Sequence, residues 1–134
     1  MASRERYLRP GFVVARILNP IVRAFGLAPT LAVRGRKTGR WRIVPVNVLE
    51  LEGRRYLVAP RGETEWARNL RAAGAGEFRK RGKAEPFRAT ELPVEERPPV
   101  IAAYRDRWDR QVKSQFEALP EAADHPVFRI EPAA

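Results

Sequence analysis

Ile43-Val44-Pro45-Val46-Asn47-Val48-Leu49-Glu50-Leu51-Glu52-Gly53-Arg54-Arg55-Tyr56-Leu57-Val58-Ala59 holds a β-branched run, a turn signal and a second apolar run. Branched side chains suit a pleated surface, and Glu52-Gly53 offers the glycine that a tight hairpin needs. The stretch predicts one strand over 43–51 and another over 56–59, locally joined and antiparallel. Pro45 has no N–H to give a ladder, which places it at an edge or a bulge.

The flanks extend the pattern. Thr30–Arg34 alternates, with Leu31 and Val33 on one face. Thr64 predicts the cap of a short helix bearing Trp66, Leu70 and Ala73, and Gly74 lies just past its end. A second hairpin is expected from Glu77–Arg81 and Glu85–Leu92 about Gly82-Lys83. Pro98-Pro99 opens a longer helix with Ile101, Tyr104, Trp108 and Val112 on one face, and His125–Ile130 reads as the last strand. Upstream, Val14, Ile17 or Leu18, Ile21 and Phe25 recur at helical spacing, with Asn19-Pro20 as a start signal and Gly26 as a stop. The expectation is a single domain over 1–134 with a helical extension over 1–28 that covers the barrel. Arg16 and Arg23 leave contact with a membrane surface as the alternative. Local hairpins and few helices argue against a parallel sheet. The fold class is mainly β: an antiparallel barrel with flanking helices.

At 134 residues the chain is one domain, small enough for a dimer partner or a bound cofactor to add useful stability. Its 26 Lys and Arg against 16 Asp and Glu give +10, which calls for an anionic partner: nucleic acid, anionic lipid or a polyanionic small molecule. There is no cysteine, hence no disulfide or thiolate chemistry, and the single His125 argues against a histidine metal site or a hydrolase triad. No metal site is expected. Phe12–Leu27 is interrupted by Arg16, Asn19, Pro20 and Arg23, too polar for the ~20 apolar residues of a membrane span. A cytoplasmic protein is expected, with peripheral membrane association through the N-terminal segment left open.

Gly35-Arg36-Lys37-Thr38-Gly39-Arg40-Trp41-Arg42 sets four cations about a glycine-bounded turn. Such a turn presents backbone N–H groups and charge to an anion, or it is simply the basic tip of a hairpin. Read with Ala59–Leu70, it resembles the deazaflavin-dependent nitroreductase family. The resemblance rests on Gly-Arg-Lys-Thr-Gly-x-x-Arg, Pro45-Val46, Arg61-Gly62, Trp66-x-x-Asn69-Leu70 and the ending Pro126–Pro132. It implies a split β-barrel of FMN-binding-protein type that binds coenzyme F-420, an 8-hydroxy-5-deazaflavin, with FMN as the alternative. It implies a reductase of nitroreductase or quinone-reductase type, passing hydride to a small electron-poor acceptor such as a quinone, enone or nitro compound.

Carried over by position, the resemblance puts Arg36, Lys37 and Arg42 at the cofactor's phosphate, within a loop that includes Thr38 and Gly39. Pro45 follows, Arg61 and Gly62 contribute from a second turn, and Trp66 and Asn69 face the ring. From the residues alone, Trp66 could equally be core and Asn69 a cap on a neighbouring turn. Arg34, Arg40, Arg54 and Arg55 read as solvated surface charge. Two departures stand out. Pro60 lacks an N–H to donate, and of the late tyrosines that such proteins carry near their substrate only Tyr104 matches, loosely. The catalytic residue is therefore unknown, Tyr104 being a weak candidate and equally a core contact. A cofactor-storing protein without catalysis and a nucleic-acid binder using Trp41 to stack on a base remain alternatives.

Overall fold

The computed structural model describes residues 29–133, so the helical extension expected over 1–28 lies outside the described residues. In chain order the elements are β1 (Thr30–Arg34), β2 (Trp41–Pro45), β3 (Leu49–Leu51), β4 (Arg54–Val58), α1 (Glu65–Ala73), β5 (Ala75–Lys80), β6 (Lys83–Glu91), α2 (Arg97–Ala118) and β7 (Val127–Pro132). Short 3-10 turns at Val94–Glu96 and Ala122–Asp124 flank α2.

All strand pairs are antiparallel, in the order β2-β1-β5-β6-β7-β4-β3. Here the single strand expected over 43–51 is corrected. It divides into β2 and β3, which sit at opposite edges of the sheet. Laid flat, seven strands would hold those edges ~29 Å apart. The chain from Pro45 to Leu49 reaches at most ~14 Å. The sheet must therefore curl until its edges approach within that reach, and the result is the antiparallel split barrel anticipated from the sequence.

The second hairpin also differs by one residue. Lys80 pairs with Lys83, so the turn is Arg81-Gly82, not Gly82-Lys83. Both residues have positive φ (51° and 78°), as do Glu52 and Gly53 (52° and 78°) in the first hairpin. This backbone matches the twist of the flanking strands.

Alternate residues feed two cores. Inside the barrel lie Leu31, Val33, Leu57, Phe78, Phe87, Phe128 and Ile130, with Ala67 and Leu70 of α1 packed among them. On the outer face, Leu49, Val58 and Val127 meet Val100, Tyr104, Val112 and Phe116. Helix α2 kinks at Trp108 (φ −124°, ψ 22°); of its expected stripe Tyr104 and Val112 are buried, Ile101 and Trp108 are half-buried, and Val100 and Phe116 join the buried face. Gly76 permits a close approach of β5 to β1, since a Cβ there would stand 2.9 Å from the Ala32 carbonyl.

Candidate functional site

Following the antiparallel pairs from β1 through β5, β6 and β7 to β4 gives β1 and β4 the same direction. The turn that leaves β1 (35–40) and the turn that leaves β4 (59–64) therefore share one end of the barrel, with α1 between them. This topological fact brings together two sequence motifs more than twenty residues apart.

The first turn is closed by its own backbone. Gly35 N–H donates to Arg40 O (2.8 Å) and Gly39 N–H to Gly35 O (2.8 Å), while Arg40 N–H donates to Thr38 Oγ1 (3.2 Å). Gly39 takes the positive φ of 74° that closure requires. Arg34 braces the turn through Gly39 O (3.0 Å). The whole turn is then tied to α1. Asn69 Oδ1 accepts from Arg36 N–H (3.0 Å) and from its Nη1 (2.8 Å), and Glu65 pairs with the same guanidinium at 3.3 Å. Hydrogen bonds from Arg36, with further help from Lys37 and Arg68 charge, hold the Glu65 carboxyl below the usual range. Lys37, Arg40 and Arg42 are exposed and make no ion pair among the described residues. Trp41 has two guanidinium groups on its ring, Arg34 at 4.2 Å and Arg79 at 4.9 Å, so less of its face is open to a base.

The second turn is fixed as firmly. Ala59 N–H donates to Pro126 O (2.9 Å), Gly62 N–H to Ala59 O (3.2 Å) and Thr64 N–H to Gly62 O (2.7 Å). Gly62 has φ 90° and Arg61 is half-buried. Thr64 sits at the α1 N-cap without capping it, and its buried Oγ1 has no hydrogen-bond partner among the described residues. Glu63 reaches Arg71 (2.7 Å), Arg71 reaches Glu91 (2.6 Å) and Glu91 reaches Arg97 (3.3 Å). The Arg71 hydrogen bonds hold the Glu63 carboxyl low. The sequence reading missed this chain of charges, because only topology brings its members together.

The other expected residues fall as follows. Half-buried Trp66 turns inward, its ring 6.1 Å from Phe128. Pro45 lies at the opposite end of β2 from Trp41, ~13 Å along the strand, so it does not join the basic turn. Tyr104 is buried in the outer core, away from Trp66, with Asn47 Nδ2 donating to its hydroxyl at 3.2 Å. A cleft of about 750 Å³ opens at the far end of the barrel. Its lining sets Arg55, Lys80, Arg81, Lys83 and Arg107 against Glu50 and Glu85, with Arg55 paired to Glu85, so this end is also net positive but lacks the turn over 35–40 and the Trp66–Asn69 face of the other end.

Burial pushes the Tyr104 hydroxyl up to about 12, with the Asn47 bond acting the other way. Between pH ~10 and ~12 the unfolded phenol ionises first, so the folded state should lose ~1.4 kcal/mol per pH unit there. Tyr104→Phe should remove that part of the alkaline loss in urea unfolding at pH 8 and pH 11. Equal losses in both proteins would overturn the assignment.

An antiparallel split barrel with two glycine-bearing turns at one end, the first of them basic, defines the structural class. The family model for F420H(2)-dependent quinone reductase matches residues 14–118. The chain belongs to this family: it is an oxidoreductase, and its cofactor is coenzyme F420. Among solved structures, an F420-H2 dependent reductase, FDR-A, is similar with 24% identity and TM-score 0.59, over 77% of this chain and 92% of its own. A domain-swapped dimer matches with 22% identity and TM-score 0.58, over 92% of this chain and all of its own. HutZ, the heme storage protein from Vibrio cholerae, matches with 14% identity and TM-score 0.57, over 87% and 91%. These likenesses carry the fold alone. No protein of curated function matches the sequence.

Proposed function

We propose that this chain binds F420 across the barrel end that carries the two turns, and passes hydride to a small electron-poor acceptor: a quinone, an enone or a nitro compound. The observation that carries this reading is the set of cations Lys37, Arg40 and Arg42, unpaired among the described residues, on and beside a turn docked to α1. The donor set suits the group. A Cβ at Gly35 would meet Thr38 Oγ1 at 3.3 Å and Arg42 Nε at 3.7 Å, so the glycine keeps the space beside that hydroxyl and guanidinium clear. Clustered Lys, Arg and hydroxyl donors give charge-assisted bonds to phosphate and carboxylate, the anions of an F420 tail.

When bound, reduced F420 supplies the hydride. The chain's own residues bind and orient. Lys37, Thr38, Gly39 and Arg42 hold the anionic tail from the first turn, and Arg61 and Gly62 add to it from the second. Arg36 fixes the first turn against Asn69 and Glu65, so its part is chiefly placement. Both Arg36 contacts are donors, which turns the Asn69 oxygen toward them and leaves its NH2 for a ring heteroatom. Trp66 gives the ring an apolar wall that excludes water. Quinones, enones and nitro compounds share the electron-poor centre that accepts hydride.

Oxidation of reduced F420, followed by its absorbance, tests the reaction against a panel of the three acceptor types. Failure with all three would refute it. Lys37→Ala should weaken F420 binding by ~1–3 kcal/mol in titration calorimetry, and the loss should shrink in high salt. In direct competition F420 should outbind FMN, because its longer anionic tail reaches more cations. Unchanged affinity in a folded Lys37→Ala protein would remove the tail from the first turn.

A further inference from the structure

The lone histidine lies in the fold rather than on its surface. His125 is 0% exposed, and both ring nitrogens face backbone carbonyls: Nδ1 is 2.8 Å from Ala59 O and Nε2 is 2.6 Å from Leu119 O. A carbonyl oxygen only accepts, so each contact requires an N–H on the ring. Neutral imidazole has one such hydrogen. In that form a ring lone pair would oppose a carbonyl oxygen at under 3 Å.

We propose that His125 is held as the doubly protonated imidazolium and that, in this state, it is a positioning residue for the turn 59–63. The link from that turn to F420 rests on the functional reading above. The Phe116 ring, 4.2 Å away and tilted by 31°, offers the cation its π face. Asp124, buried in the preceding 3-10 turn, is the adjacent carboxylate. From α2, Arg97 donates to His125 O at 3.3 Å and is balanced by Glu91, while Arg105 lies over the Phe116 ring at 5.1 Å. Glu63 completes the charged set from the turn itself, occupied by Arg71. Arg97 also grips Leu92 O at 3.0 Å and the Ala122 and Ala123 carbonyls at 3.4 Å. The chain that carries His125 is thus anchored, and the ring transmits that anchoring. Ala59 O, which the ring holds, also receives the Gly62 N–H.

Three measurements on the full chain test this. In the unliganded wild-type protein, 15N NMR at neutral pH should show protons on both ring nitrogens; a single-proton tautomer would overturn the proposal. His125→Gln supplies N–H donors at only one end, so the Gly62 amide should exchange with solvent about tenfold faster. Unchanged exchange would refute the positioning role. F420 affinity should fall severalfold in His125→Gln at neutral pH, in step with the faster Gly62 exchange. Unchanged affinity with a loosened turn would overturn the link to the site. The first two readouts need no cofactor, so they stand or fall apart from the Lys37→Ala test of F420 binding.

Discussion

Phe87→Ala is expected to cost about 3–5 kcal/mol, since a buried aromatic leaves both lost transfer energy and a cavity. The residue is 1% exposed, in the middle of β6, opposite Gly76 of β5 and Pro132 of β7. Its ring is 4.5 Å from that of Phe78, and its Cζ fills the space where a Cβ on Gly76 would stand at 3.1 Å. The neighbours are strands held by ladders on both sides, so they cannot collapse onto the void. Domains of this size are stable by roughly 5–15 kcal/mol, so the loss is a large share of the total. Urea unfolding should show a lower midpoint with an unchanged slope. A loss below ~1 kcal/mol would mean that the barrel interior does not depend on this ring.

The strands that announced themselves did so through local pattern. Thr30–Arg34 was legible to the residue because its alternation is bounded by Pro29 on one side and Gly35 on the other. The run over 43–51 misled for the same reason. Each of Val46, Asn47 and Val48 is compatible with extended backbone, and nothing local says that the chain there leaves one edge of a sheet for the other. The turn at Arg81-Gly82 was displaced because a non-glycine residue at φ 51° has no mark in the sequence. The kink at Trp108 has none either, being without proline or glycine.

At the site, the legible part was charge and the illegible part was pairing. Gly35–Arg42 declared itself as a basic turn, and Trp66 and Asn69 as neighbours three apart. Which cation is free and which is spent depends on residues 29 and 33 positions away, Glu65 and Asn69, and only the topology sets those distances. Arg36 thus looks like its neighbour Lys37 in the sequence and differs from it in the fold. Trp66 and Asn69 diverge likewise, one toward Phe128 and the other toward the basic turn. His125 and Arg97 carried no sequence signal beyond rarity and helix position. Their importance comes from carbonyls just past the ends of β4 and α2 and in the 3-10 turn.

Asn69→Leu is expected to separate charge from placement. The substitution keeps bulk near the barrel interior but removes the acceptor for Arg36 N–H and Nη1, a carbonyl that is 96% buried by residue (4% exposed). Leaving such donors unsatisfied costs ~1–3 kcal/mol. The remaining pair with Glu65, whose side chain is 63% exposed, recovers little of it. The first turn should then swing free of α1 with all its cations intact. F420 affinity should fall by about tenfold or more, because the tail must order a loop that the wild type presents already formed. Faster amide exchange over 36–40 would accompany the loss. Asn69→Asp supplies the discriminating control: it keeps an acceptor on Arg36 but loses the NH2. If it restores slow exchange and tight binding, placement of the turn is the main role of Asn69. If it restores slow exchange alone and the affinity loss persists in high salt, which screens the added carboxylate, the NH2 contacts the cofactor directly, as the sequence resemblance implied. Wild-type affinity in Asn69→Leu with a loosened turn would show that the docked geometry of 35–42 is irrelevant to binding, and the basic turn would then act through charge alone.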